Sequence, residues 1–331
     1  MQIRMRMWTW KAWLQAAFAS LLLGASGMGW AQGSYPERPI TLIVPFGPGG
    51  IADITARTVA QAMSATLKQA IVVDNRPSAG SIVGSTAVAQ AAPDGYTLLL
   101  MSNANAVSAS LFKKLPFDVT KDFAPVGTLG VFDLALFVNA DSRFKNLRDL
   151  LDDAKARPGK LTIGTIAVGS TQHLSAELFK TRTGIDALIV PYKGSPAVLT
   201  ALRSGEIDLA FEILGPMLPQ VQAKVVRVLA VTSDKRFSAL PEVPTVMQAG
   251  VADYNVASWN ALAAPAKTPQ AIIEKLNAAA NEALKTPAVQ ERLLSLGVRP
   301  QGGTPQQMQA LLAAEIKHWR EVIRAAKIEP E

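Results

Sequence analysis

The sequence predicts an α/β protein with helices layered on a mostly parallel sheet. Two observations carry that prediction: short apolar runs of strand character alternate with helical patterns, and Pro, Gly and Asp cluster where the period changes. A mature chain of about 300 residues can bury a sizeable core and usually divides into two domains.

The first unit is a strand over 40–44, a Pro/Gly turn over 45–50 and a helix from about Ile51. A strand over 70–74 follows, then a loop over 75–80, a helix over 83–91, the turn Pro93-Asp94-Gly95 and a strand over 96–101. A second series begins with a strand over 133–139. It continues with a helix over 147–156, a Pro158-Gly159 turn, a strand over 160–164 and a helix from about Thr171. Strands over 187–190, 207–211 and 226–232 and a helix over 195–204 complete it. The two series share a layout, with no sequence repeat strong enough to indicate duplication.

Near the C-terminus, Thr268-Pro269, Thr286-Pro287 and Thr304-Pro305 each offer a helix N-cap followed by proline at the first helical position, and Gly297 closes the middle helix. The final stretch carries Leu311, Leu312, Ile316, Trp319, Val322 and Ile323 at helical spacing, as expected of a helix packed on a domain surface.

The first 31 residues have a different character. Arg4, Arg6 and Lys11 precede an apolar stretch over 12–23, no acid occurs before Glu37, and Gly29 and Ala31 fit a cleavage site. This order predicts a secretory signal peptide over 1–31 and a periplasmic mature protein. The apolar run is shorter than the ~20 residues a membrane span needs. Removing the three leader cations lowers the formal charge from +7 to +4, and the remaining Lys and Arg are scattered among acids. No nucleic-acid partner is expected from that pattern.

Cysteine is absent, which removes disulfides, thiolate nucleophiles and a lipid-bearing cysteine after the leader. His173 and His318 are the two histidines and stand far apart, so neither a metal site nor another cofactor is expected. There is no Gly-x-Ser-x-Gly elbow, and Asp152-Asp153 lie on a charged helix, so no catalytic residue is assigned and the chain does not read as an enzyme.

Candidate ligand contacts gather at turns. The turn from Val44 through Phe46, Gly47, Gly49 and Gly50 opens a helix, where unsatisfied N–H groups and the helix dipole favour an anion. It lacks the Gly-Lys-Ser/Thr and dinucleotide spacings of nucleotide loops. A similar turn over 165–169 leads into Ser170, Thr171 and a helix bearing His173, with Ser170 a natural cap. Asp53 either pairs with Arg57 one helical turn on or accepts a hydrogen bond from a ligand. Ser102, Asn103 and Asn105 follow a strand end, the usual place for ligand contacts in open α/β sheets, and Glu212 occupies the comparable place in the second series. Tyr192 and Trp259 fit either a ligand wall or the core.

Several of these motifs together resemble a known family, the Bug-type extracytoplasmic solute receptors of tripartite tricarboxylate transporters. The resemblance is carried by Val44-Pro45-Phe46 with Gly49-Gly50, Asp53-Ile54-Thr55-Ala56-Arg57, Asp74-Asn75-Arg76-Pro77 and Pro93-Asp94-Gly95-Tyr96-Thr97-Leu98. Lys121-Asp122-Phe123, Gly169-Ser170 with His173-Leu174, Pro191-Tyr192-Lys193-Gly194 and Leu240-Pro241-Glu242-Val243-Pro244-Thr245 extend it along nearly all of the mature chain. It implies a two-lobed periplasmic binding protein fold, type II-like, with mixed sheets flanked by helices and a ligand cleft between the lobes. One lobe would take 32–135 and the returning 255–331, the other 136–254. The implied ligand is a small carboxylate solute, bound through Phe46, Gly47, Asp53, Ser102, Asn103, Gly169, Ser170 and Thr171. The implied partners are membrane transporter subunits or a sensor protein, with the receptor itself a monomer. The sequence departs from the family pattern at Ser78, Ser81 and Ala167, where glycine is usual, and at Glu212, where aspartate is common.

Overall fold

The computed structural model describes residues 35–330; the leader expected over 1–31 lies outside the described residues. The first series comprises β1 (Ile40–Val44), α1 (Ile51–Leu67), β2 (Ile71–Asn75), a short 3-10 turn (Ala79–Ser81), α2 (Ile82–Ala89), β3 (Thr97–Ser102) and α3 (Asn103–Leu111). A long strand, β4 (Phe123–Asn139), leads into α4 (Leu147–Ala156), β5 (Leu161–Ile166), α5 (Thr171–Thr183), β6 (Ala187–Tyr192), α6 (Ser195–Ser204), β7 (Leu209–Ile213), α7 (Leu214–Gln222) and β8 (Val226–Val231). The chain finishes with β9 (Ala257–Pro265), α8 (Gln270–Lys285), α9 (Pro287–Ser295), β10 (Val298–Pro300) and α10 (Pro305–Ala325).

β4 organises the architecture. Its first part, from Phe123 to Asp133, pairs antiparallel with β9, which continues through β3 and β1 to the edge strand β2. Its second part pairs with β7 and β8, and β7 continues through β5 to β6. One strand thus serves two sheets, each flanked by helices, which is the two-lobed layout. The sheets are mixed: β1, β2 and β3 run parallel, as do β5, β6 and β7, whereas every pairing of β4 is antiparallel.

Sequence patterning captures only the second part of β4 and passes over β9. Pro125, Gly127 and Gly130 interrupt the first part of β4, and the ladder shifts register between Pro125 and Gly127 and between Thr128 and Gly130. Bulges of this kind bend a strand and erase its alternation. The alanines of β9 have weak strand preference, and its residues are buried on both faces by the tertiary structure, which leaves no alternation to read. These two strands make the sheet mixed where period alone predicts mostly parallel.

The three Thr-Pro pairs differ in their chemistry. Thr304 caps α10 through a capping box with Gln307. Thr286 precedes α9, but its hydroxyl turns back to donate to the Ala283 carbonyl at the end of α8. Thr268 lies one residue outside the cap position, which Pro269 takes, and donates to the Pro265 carbonyl. α10 buries Met308, Leu312, Ile316, Trp319, Val322 and Ile323 and packs on α3 and β4, so its apolar stripe belongs to the core. Among the described residues, no helix is long and apolar enough to cross a membrane.

Candidate ligand-binding site

The Pro/Gly turn after β1 is shaped by Asp53. Its carboxylate, only 4% exposed, accepts from the Gly49 N–H at 2.9 Å, from Arg57 Nε at 3.0 Å and from Asn75 Nδ2 at 2.9 Å. Asn75 Nδ2 also donates to the Phe46 carbonyl at 3.0 Å, and Arg57 donates to Asn75 Oδ1 at 2.8 Å. Burial pushes the Asp53 carboxyl up, but the donors from Arg57, Gly49 and Asn75 outweigh it and hold the group below the usual carboxylate range. Asp53 therefore spends its acceptors on the turn. Gly49 adopts φ +81°, a left-handed value that favours glycine, and Gly50 supplies no side-chain cap, so α1 starts without one.

The turn after β5 is built differently. Ser170 Oγ accepts from the His173 N–H at 3.1 Å and so caps α5, while Gly169, at φ +77°, directs its N–H at His173 Nδ1. A Cβ on Gly169 would come within 2.2 Å of Leu111 at the end of α3, so this turn sits hard against the first series. Asn103 makes the second link. Its Nδ2 donates to Thr171 Oγ1 at 2.9 Å, and its Oδ1 accepts from Trp319 Nε1 at 2.7 Å. Ser102 caps α3 in a box with Asn105, which in turn donates to Ser85 Oγ.

Two cavities lie where the turns face each other. One, of about 420 Å³, has Phe46, the segment from Ser78 to Ser81 and the start and inner face of α3 on one side and Ala167 to Ser170 on the other. The second, of about 770 Å³, has Gly49, Gly50 and Ile51 opposite Ile166, Gln172, Ser195 and the apolar face of α7. Among the described residues, no charged side chain lines either cavity.

Of the residues expected at the site, Phe46, Gly169 and Ser170 come together on the smaller cavity. Asp53, Ser102, Asn103 and Thr171 stand behind the walls, bonded to other protein groups, and Gly47 lies on the exposed rim of its turn. Glu212 is 1% exposed and accepts from Ser195 Oγ at 2.9 Å, Gln172 Nε2 at 3.3 Å and its neighbour's N–H. Burial pushes its carboxyl up, and its second oxygen has no hydrogen-bond partner among the described residues. Ser195, Gln172 and Ile213 line the larger cavity, so Glu212 braces that wall from behind. Trp259 is a core residue, and Tyr192 donates to Glu206 at 2.8 Å.

The family model for the tripartite tricarboxylate transporter family receptor matches residues 55–328. The chain belongs to this receptor family. It is 39% identical to the protein BugT of Bordetella pertussis over 88% of this chain and 90% of that one. Among solved structures, Rpa4515 of R. palustris with adipate superposes with a TM-score of 0.81 and 36% identity, covering 90% of this chain and all of that one. MatC of Rhodopseudomonas palustris with bound malate gives 0.76 and 32%, covering 87% and all of that chain.

Sequence reasoning about the receptor missed Asn75 and Leu111 as supports of the two turns. The signal for Asn75 was present, since it ends a strand beside a loop, but its partners Phe46 and Asp53 are distant in sequence. Leu111 carries no signal of its own.

His173 yields a pH-dependent expectation. Burial, aided by Lys180, pushes its imidazole below the ordinary histidine value, so the neutral ring accepts from Gly169. The unfolded chain takes up the proton more readily, so this contribution is complete above about pH 6.5 and is lost as pH falls through the window below it. The melting temperature is expected to drop between pH 7.5 and 5.5, and to drop less in His173→Asn, as followed by calorimetric scans.

Proposed function

We propose that this receptor captures a small carboxylate solute in the periplasm and presents it to the membrane subunits of a tripartite transporter. The observation that carries this reading is the smaller cavity, whose opposing walls come from the turns after β1 and β5, on different sheets. Among the described residues its lining has no charged side chain, so a bound anion meets hydroxyls and backbone N–H dipoles. Such neutral donors suit one or two carboxylates better than a dense cluster of charge. The adipate and malate held by two structural relatives support the same ligand class.

In this reading the leader over 1–31 exports the chain. The lobes are 32–135 with 255–331, and 136–254, and they close on the solute as a hinge about β4. The protein acts as a monomeric carrier without catalytic residues, and a transporter rather than a sensor recognises its closed form.

Titration calorimetry of the purified protein against adipate, malate, benzoate and citrate tests the reading. Saturable one-to-one binding of at least one of them is expected, and binding of none overturns it. Ser170→Ala is expected to weaken that binding and to cost about 1 kcal/mol of stability through the lost cap. Unchanged affinity in this variant removes Ser170 from the site.

A further inference from the structure

Four serines, Ser78, Ser81, Ser108 and Ser170, line the smaller cavity, and three of them are committed to the protein. Ser78 Oγ accepts from the Val83 N–H at 2.9 Å. Ser108 Oγ donates to the carbonyls of Gly80 and Ala104, at 2.8 and 2.7 Å. Ser170 Oγ caps α5 and donates to the Ile166 carbonyl. Ser81 alone among them has a hydroxyl without a hydrogen-bond partner among the described residues, although the residue is only 1% exposed.

An unpaired buried hydroxyl costs free energy that folding does not recover. Ser81 also adopts φ 61° and ψ 19°, a left-handed conformation that disfavours any residue with a Cβ. Gly80 before it is left-handed too, at φ +58°, and a Cβ there would come within 2.4 Å of the Phe112 ring. The backbone path through 80–81 is therefore imposed by packing on α3. Glycine would meet it at position 81 with less strain and no orphaned hydroxyl, yet serine is present. Backbone strain of this kind clusters at binding and active sites, and here it stands on a cavity wall.

We infer that Ser81 Oγ is a direct ligand contact, donating a hydrogen bond to an oxygen of the bound carboxylate. The inference rests on the receptor reading above and adds a specificity-determining residue to its cleft. Ser81 Oγ is covered in the free receptor, so the contact forms on a rotation of its side chain toward the cavity that the residue lines. The ligand oxygen then completes a hydroxyl that has no partner among the described residues, and binding recovers a cost already present.

The test compares wild type, Ser81→Ala and Ser81→Gly by titration calorimetry with adipate, malate, benzoate and citrate, and by thermal melts without ligand. Ser81→Ala is expected to weaken binding roughly three- to tenfold, the worth of one hydrogen bond. Ser81→Gly is expected to weaken it as much while melting roughly 1–3 °C higher, because the left-handed strain is relieved. A merely structural serine would move the melting point and leave affinity alone, so affinity within twofold of wild type in both variants overturns the inference. Ser81→Gly keeps the test decisive where Ser81→Ala folds poorly. If wild type binds none of the four acids, the receptor reading falls with it; if it binds and the variants bind equally well, the Ser81 contact alone falls.

Discussion

Replacing Trp319 by alanine is expected to remove about 3–5 kcal/mol of stability, the range for deleting a fully buried aromatic side chain. Trp319 is 1% exposed in the middle of α10 and belongs to the main core cluster. Its indole N–H donates to Asn103 Oδ1 at 2.7 Å and to Glu315 Oε2 at 2.8 Å. Truncation opens a cavity and takes the donor from a buried acceptor on Asn103, which also holds Thr171, and from a half-buried one on Glu315. The effect therefore reaches the start of α5 as well as the core. Chemical denaturation measures the first, and ligand affinity at a temperature where the variant stays folded measures the second. Trp319→Phe, which keeps most of the volume and loses the N–H, is expected to recover most of the stability and to leave affinity reduced.

Asp53→Ala is the second large effect, and it falls on the glycine-rich turn. Hydrogen bonds to a charged group are worth about 1.5–3 kcal/mol, and this carboxylate collects donors from Gly49, Arg57 and Asn75 at once. Arg57 is half exposed and can turn to water, so the loss is expected near the lower end of that range. Without the carboxylate, Asn75 loses one of its three side-chain partners, and its hold on the Phe46 carbonyl is loosened. Ligand affinity is expected to fall more than stability suggests, because the turn forms a cavity wall. Asp53→Asn keeps the shape and loses the charge, and an intermediate affinity is expected. The wild type should also lose this contribution in acid. The folded carboxyl is held below its ordinary value, so the stabilisation is present above about pH 4 and disappears as pH falls through the folded value. An acid-unfolding curve that does not change shape in Asp53→Asn would contradict that account.

Part of the candidate site was legible in local patterns. Strand, glycine turn and helix start are contiguous in sequence, and both turns emerge where the period changes: β1 occupies 40–44 as patterning predicts, and Ser170 caps α5 as its position suggests. Glu212 was legible as a strand-end acid, and it ends up braced behind a wall that Ser195 and Gln172 present. Tyr192 and Trp259 were ambiguous because an aromatic on an apolar run suits a core and a ligand wall equally; burial assigns Trp259 to the core.

The sequence by itself determined most of the alternation of strands and helices, several of the helix starts and the motifs that mark the receptor family, because each depends on residues close together in the chain; it gave no sign of α3 and α7. The tertiary structure alone decided how the polar groups at those places are used. Asp53 is claimed by Asn75, Asn103 by Thr171 and Trp319, and Gly169 by the packing of Leu111, all partners from other elements. It also decided that β4 and β9 run antiparallel through the middle and that Ser81 is left without a partner. The physical reason is that a hydrogen-bonding side chain carries the same capacity wherever it stands, and only the packed fold settles which donor reaches it and which hydroxyl is left for a ligand.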